Sequence, residues 1–558
     1  MEKLAKFVIR KKWSTKVKEE RGPQVNYFPL EEDVPTYKAT NTRYLSFINS
    51  QKWSIFLYTF LSYLRCTFFT KQFLHKLRNQ PPSPILDLPI IGHLYLLKKP
   101  LYRSLAKLSE RYGPVLLLQF GSRPVLVVSS PSAAEECLNK NDIIFANRPR
   151  MMAGKHFGNN YTSLAWTSYG DHWRNLRRIA SIEILSTHRI QMLQNIRTDE
   201  IKGMINRLYR DSEEKRVVDM KTAFYEMTMN VMMRMIAGKR YFGENVEEIE
   251  EGKRFREILN ETFRLGTTNM ADFIPVVRWL GLGGMEKKLM VVQKKRELFM
   301  QELLEQCKRR LGGANNGDSE MEGKKKTMID VLLTLQEKEP AYYTDGSIRD
   351  LMLVLLGAGT DTSSGTMEWA LSVLLNNPEI LKKAQMEIDN HVGQERLIDE
   401  SDIANLPYLR CIINETLRMY PPGPLVIPHE SSEDCVVGGY RVSQGTMLLV
   451  NLWAIHNDPK IWEDARIFKP ERFQGLEATR DGYKLMPFGS GRRGCPGEGL
   501  AVRMVGMGLG SVIQCFDWGR IGNELVDMAE GTGLSMPKAQ PLMAKCTPRP
   551  VAAKLFSS

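Results

Sequence analysis

The chain has eight cysteines, Cys66, Cys137, Cys307, Cys411, Cys435, Cys495, Cys515 and Cys546, and no two of them are spaced C-x-x-C. Thiols scattered this widely make neither a disulfide framework nor a zinc site, both of which need closely spaced partners. They point to a reducing compartment, with most of them buried as small apolar side chains. Also missing is a G-x-G-x-x-G turn that opens a βαβ unit, so no nicotinamide or flavin domain is expected. There is no internal repeat, no zinc-finger spacing and no aromatic-basic strand signature, which leaves no nucleic-acid partner in view. Long apolar runs are scarce, and one occurs near the amino terminus.

What is present is an ordinary globular balance: 558 residues, 43% hydrophobic and 25% charged, with a mean hydropathy of −0.30. Lysine and arginine number 77 against 64 acidic residues, a net charge of +13. Such an excess suits an anionic membrane surface or an acidic protein partner, or it is simply solvated charge. The polar stretch Gly312 to Lys326 reads as a surface loop between two helical patterns.

Four segments follow from the pattern. Residues 1–52 form a basic extension that also carries Glu2, Glu19, Glu20, Glu31, Glu32 and Asp33, too acidic for a transit peptide. Residues 53–70 hold the apolar run Trp53 to Phe69, at the short end of bilayer-spanning length and interrupted by Arg65. It reads as a membrane anchor, either spanning the bilayer or lying in the interface, and the topology of the first 52 residues stays open. Residues 71–92 supply a basic flank and the hinge Pro81-Pro82-Ser83-Pro84, which cannot continue a helix. Residues 93–558 form the main folded domain, which the positive flank would keep in the cytosol.

The strongest pattern is Phe488-Gly489-Ser490-Gly491-Arg492-Arg493-Gly494-Cys495-Pro496-Gly497, running into a helical stretch from Glu498 to Phe516. Cys495 stands just ahead of a helix amino terminus, where free N–H groups and the macrodipole favour a thiolate. Gly491, Gly494 and Gly497 allow the backbone to approach a large flat ligand. Pro496 sits where a missing N–H matters little. Arg493 can neutralise a carboxylate, and Phe488 can shield the sulfur. The pattern F-x-x-G-x-R-x-C-x-G is met at every fixed position, and here the chain resembles the cytochrome P-450 superfamily. That resemblance implies that Cys495 is the axial thiolate ligand of the iron of haem b (iron protoporphyrin IX), with the surrounding loop as its cradle.

Further segments carry the same resemblance. Glu415-Thr416-Leu417-Arg418 and Pro470-Glu471-Arg472-Phe473 are similar to the family's E-x-x-R and P-x-R-F elements, implying a buried structural network of Glu415, Arg418 and Arg472. Trp173 and Arg177, at i and i+4 on one helix face, resemble the W-x-x-x-R pair that meets a haem propionate, and His429 resembles another propionate contact. Ala358-Gly359-Thr360-Asp361-Thr362-Ser363 matches A-G-x-D-T-S within a helical run from Ile348 to Leu375. So many poor helix formers together suggest a local bend. By resemblance that bend is an oxygen pocket, with Thr362 and Asp361 as a proton relay.

The resemblance runs from Pro81 to the end and implies a mainly α fold with a small β-rich region, built as a single catalytic domain. It is plant-like and similar to the isoflavone 2′-hydroxylase group in Leu88 to Leu101, Tyr169 to Arg178, Pro428 to Cys435 and Met486 to Ala501. The implied reaction inserts one oxygen atom of O2 into a hydrophobic phenolic or (iso)flavonoid skeleton at the endoplasmic reticulum membrane, with the catalytic domain facing the cytosol. Electrons come from NADPH through a separate cytochrome P-450 reductase. A lignan, terpenoid or xenobiotic substrate remains open. So do a reductase-independent haem-thiolate isomerase or dehydratase, against which Asp361 and Thr362 speak, and a non-catalytic haem protein. The expected pocket walls are Met151 to Thr162, Phe263 to Ile274, Leu353 to Ala358, Gly423 to Ile427 and Thr532 to Met536, all mostly apolar.

Overall fold

The near-continuous apolar runs Val115–Phe120 (β1) and Arg123–Val128 (β2) build a hairpin in which Val115 faces Val128. In the computed structural model described here, this hairpin adds Met447–Val450 (β7) in parallel and then His429–Glu430 (β4), giving the order β1-β2-β7-β4. The period of two sends Leu126, Val128, Leu448 and Val450 to one core and Val125, Val127, Met447 and Leu449 to another, so both sheet faces are covered. Smaller pairings join Val218–Asp219 (β3), Met543–Pro548 (β9) and Phe516–Gly519 (β8), and Cys435–Val437 (β5) with Tyr440–Val442 (β6).

The structure describes residues 59, 62, 70, 73, 75–243, 249–281, 283–314, 326–475 and 483–556, with the side chains of 312–314 excepted. The chain divides into two compact units, Met1–Leu74 and His75–Ser558. In the first, Thr59, Ser62, Thr70 and Phe73 are helical. The rest of the expected extension and anchor lies outside the described residues, as does most of the expected loop from Gly312 to Lys326. No helix among the described residues is long and apolar enough to cross a membrane.

The second unit is mostly helical, as the sequence implies. Its helices include α1 (Leu101–Tyr112), α2 (Asp171–Arg178), α3 (Gln194–Glu213), α4 (Met220–Ala237), α5 (Ile249–Leu265), α6 (Asp345–Asn376), α7 (Pro407–Met419) and α8 (Glu498–Cys515). α4, α6, α7 and α8 contribute nearly half of one large apolar core. Close approach of α6 to α4 depends on Gly359, where an added Cβ would lie 2.6 Å from the Met232 methyl carbon. α6 begins three residues before the expected Ile348, where Thr344 caps it by accepting from the Ser347 amide.

Pro81–Pro84 lies outside helix and strand and is docked against the sheet. The Leu117 amide donates to Pro82 O at 2.9 Å, and Gly92 bridges to Phe120. The stiffness of this segment therefore holds it against the hairpin.

Candidate active site

The cysteine loop is held from below by a buried ionic network. On α7 the Arg418 guanidinium donates to both Glu415 oxygens, Nε at 2.7 Å and Nη2 at 2.8 Å. Arg472 adds a third contact to Glu415 at 3.0 Å, as the paired motifs imply. Arg418 Nη1 also donates to the His456 carbonyl at 2.6 Å, and the Met486 amide donates to His456 Nε2 at 3.1 Å. Burial first, then the Arg418 charge, pushes His456 down to about 3, so it stays neutral and able to accept. From Met486 the chain of bonds enters the loop: the Gly489 amide donates to Met486 O, and the Cys495 amide to Phe488 O.

Gly491 takes φ +68°, and a Cβ there would meet Leu138 O at 2.3 Å, so the loop can press against the preceding segment only as glycine. Gly497 is different. Its φ is −93° and its virtual Cβ meets only Cys495 Sγ, at 3.8 Å. Its contribution is an amide that donates to that sulfur at 3.4 Å, so backbone freedom is not what this position needs. Burial pushes the Cys495 thiol up, while the Gly497 amide and the Arg177 charge draw it back down. The Cys495 residue is nevertheless exposed. Phe488 is half-buried against the main core.

Beside this loop lies a cluster of cations. Arg177, on α2, donates to Gly494 O at 2.6 Å. Arg493 donates to the carbonyls of Ala146 and Thr167 at 2.7 and 2.6 Å, and its guanidinium stacks 4.5 Å from the buried Trp173 ring. Burial, then Arg177, pushes Arg493 down to about 10, still cationic at neutral pH. Arg148, which the sequence reading passed over, is buried and donates to the carbonyls of Ala165, Ile427 and Pro428. Its sequence signal is the N-R-P-R stretch at Asn147 to Arg150, which is short and weak. Among the described residues no carboxylate pairs with Arg148, Arg177 or Arg493. His429, at the sheet edge on β4, donates from Nδ1 to Phe145 O at 2.7 Å and leaves Nε2 buried without a partner. Burial, then Arg148, holds this imidazole well below its usual pKa.

Asp361 and Thr362 lie on α6, and the helix runs unbroken through Gly357–Ser363. Hydroxyls bond back along the helix, the competition for carbonyls on which the expected bend rests: Thr362 Oγ1 donates to Ala358 O at 2.6 Å and Ser364 to Thr360 O at 2.9 Å. Ala358, midway along an otherwise buried helix, is exposed, and Thr362 is half-exposed one turn later. Asp361 Oδ2 accepts from Ser535 Oγ at 2.6 Å, a partner the sequence reading placed only as a pocket wall. A virtual Cβ on Gly357 lies 3.7 Å from both Leu259 and Phe263 of α5, which puts two of the expected walls in contact.

A family model for cytochrome P450 matches residues 81–543. The chain belongs to the cytochrome P450 family. It is 50% identical over 508 residues to cytochrome P450 81Q32 of Catharanthus roseus, covering 90% of this chain and 99% of that one. It is 48% identical over 485 residues to an isoflavone 2′-hydroxylase of Glycyrrhiza echinata, 86% and 94% of the two chains. Against a (+)-piperitol/(+)-sesamin synthase of Sesamum radiatum it is 47% identical over 479 residues, 85% and 92%. A solved zebra fish cytochrome P450 with abiraterone superposes with a TM-score of 0.66 at 25% identity, over 81% of this chain and all of the other.

This P450 is therefore a monooxygenase whose family uses haem b and electrons from NADPH delivered by a reductase. Its residues fit that cofactor. An exposed cysteine suits an axial ligand. Three arginines without acidic partners suit the two carboxylates of a haem edge, and His429 Nε2, buried near them without a partner, would donate to one of those carboxylates only once protonated.

Proposed function

We propose that Cys495 is the axial ligand of haem b and that Arg148, Arg177 and Arg493 hold its carboxylates, with Trp173 bracing Arg493 and His429 joining them as the imidazolium that a carboxylate beside Nε2 would favour. Phe488 screens the sulfur, and Gly491 and Gly497 give the loop its closeness and its sulfur-directed amide. The observation that carries this reading is Cys495, an exposed residue whose Sγ accepts from the Gly497 amide at the start of α8. The bound haem would supply oxygen activation, with the thiolate favouring O–O cleavage. The chain's own residues manage protons and substrate. Because the Thr362 hydrogen is engaged by Ala358 O, its oxygen lone pairs are free to accept, and Asp361 one residue earlier passes protons inward from solvent. A reduced, carbon monoxide-bound difference spectrum tests the ligand: the parent shows the red-shifted Soret band of thiolate-bound haem and Cys495→Ser lacks it. A parent without that band would overturn the assignment.

The substrate is a hydrophobic (iso)flavonoid-type phenolic. Support comes from relatives named isoflavone 2′-hydroxylase and isoflavone 3′-hydroxylase, both 48% identical. The lignan reading has its own support in the sesamin synthase at 47%. Incubation with NADPH, O2, reductase and a panel of isoflavones, flavones and lignans separates the two by which class yields oxygenated product.

The electron donor is the NADPH-cytochrome P450 reductase of the endoplasmic reticulum, and the catalytic unit faces the cytosol on that membrane. Residues 1–52 are an extension, 53–70 an anchor, 71–92 a basic flank and proline segment, and 93–558 the monooxygenase domain. Supporting membrane contact is an apolar corner of the second unit: Ile85, Leu86 and Ile90 are exposed, as are Trp279 and Leu280. The two stretches meet at the β1–β2 turn, where the Gly121 amide donates to Ile91 O and the Ser122 amide to Phe273 O.

A further inference from the structure

The turn Thr532–Met536 is held in place by bonds to its backbone as well as by the Ser535 side chain. The Met536 amide donates to Pro422 O at 3.1 Å, and Trp369 Nε1, two turns along α6 from Asp361, donates to Met536 O at 2.8 Å. A bridge between Glu530 and Lys538 and a bond from the Gly531 amide to Pro537 O close the base of the turn. Residue 535 therefore stands at a set place beside α6.

In that place the Ser535 hydroxyl donates to Asp361 Oδ2 at 2.6 Å. Ser535 is half-buried and follows three exposed residues, Thr532, Gly533 and Leu534. Its hydroxyl thus lies between solvent and the carboxylate. Leu534 packs toward the carboxyl end of α5, 3.8 Å from the place of a Cβ on Gly266, so adjacent residues of one turn touch the expected substrate wall and the acid.

The surroundings of Asp361 favour this arrangement. Burial pushes its carboxyl up, and the Ser535 hydroxyl and the Lys221 charge draw it back. Lys221 and Tyr225 belong to α4, and Arg256 of α5 stacks 4.7 Å from the Tyr225 ring. The Tyr225 hydroxyl is buried without a partner, so Ser535 is the described side chain that bonds this carboxylate.

We propose that Ser535 is a positioning residue for oxygen activation: its hydroxyl orients the Asp361 carboxylate and hands it protons from solvent. The inference rests on the relay role of Asp361 and Thr362. Each transfer balances at the hydroxyl. A proton arriving from water at Ser535 Oγ is matched by the Ser535 proton leaving to Asp361 Oδ2, and no electrons move. The turn that walls the substrate side then also sets proton delivery.

The test uses the full-length, haem-loaded protein with reductase, comparing Ser535→Ala, Ser535→Thr and Asp361→Asn. Ser535→Ala is expected to keep the carbon monoxide spectrum and KM while product per NADPH falls about threefold to tenfold and peroxide release rises to match. Ser535→Thr, which keeps the hydroxyl, restores coupling. An independent readout is the infrared band of the Asp361 carboxyl, identified by its loss in Asp361→Asn. Ser535→Ala moves its titration midpoint up by about one pH unit, the size of one lost hydrogen bond to a carboxylate. Unchanged coupling and midpoint in Ser535→Ala, or a change in KM alone, would overturn the role of Ser535 and leave the relay standing. Full coupling in Asp361→Asn would overturn the relay and this inference with it.

Discussion

Thr362 donates its hydroxyl hydrogen to Ala358 O, one turn back along the same helix, and this single bond decides what the side chain can do next. Thr362 is half-exposed and its oxygen can accept, and passing a proton on then requires release only of the bond to Ala358 O within the same helix. Removing it should separate electron use from product formation. Thr362→Ala is expected to go on consuming NADPH while peroxide rises and product per NADPH falls about tenfold or more; Thr362→Ser should stay coupled. Parallel measurement of NADPH, peroxide and product checks this, and full coupling in Thr362→Ala would remove Thr362 from the relay. Cys495, Asp361 and Thr362 were legible in the sequence because each sits in a short run whose neighbours are part of the same local structure. Arg148 and Ser535 were not, because their meaning lies in contacts to distant parts of the chain: Ser535 meets Asp361 from 174 residues away.

At the scale of elements, the cysteine loop gets its shape from two supports. One is Gly491, whose positive φ and 2.3 Å approach to Leu138 O leave no room for a methyl group. Gly491→Ala should cost about 1–3 kcal/mol and lower the fraction of protein that retains haem, read from the ratio of Soret to protein absorbance. The other is the network under α7. Glu415 and Arg418 are fully buried, so Glu415→Ala leaves two guanidinium groups without their carboxylate. The expected loss is about 3–5 kcal/mol, visible as a lower thermal unfolding midpoint and poor haem retention. A variant as stable as the parent would show that the network does not hold the loop. The sequence announced Glu415, Arg418 and Arg472 through two motifs. It was silent on His456, the neutral imidazole that joins Arg418 to Met486, because a lone histidine in A-I-H has no spacing to mark it. The run of poor helix formers expected to bend α6 stays helical throughout, and at Gly359 the close packing of Met232 gives the small residue a use that propensity alone does not reveal.

Across the whole molecule, the mainly helical class and the small sheet followed from resemblance. The sheet order did not, because β7 pairs in parallel with β2 from more than three hundred residues away. The same distance effect hides the apolar corner. Ile85, Leu86 and Ile90 look unremarkable in the chain, as do Trp279 and Leu280, until the β1–β2 turn brings the two stretches together. Two forces would then act on a membrane surface, the net charge of +13 and this corner. Salt distinguishes them, since screening weakens the first and leaves the second. In flotation with vesicles containing anionic lipid, the full-length protein should stay partly bound at high salt. Trp279→Ser with Leu280→Ser removes two exposed apolar side chains, Trp279 being 83% exposed, worth about 1.5–3 kcal/mol each if buried in lipid. That variant should lose about tenfold or more of its salt-resistant binding while keeping the carbon monoxide spectrum and the salt-sensitive component. Retention equal to the parent at every salt concentration would assign the remaining binding to residues 1–74 and show that this corner does not face lipid.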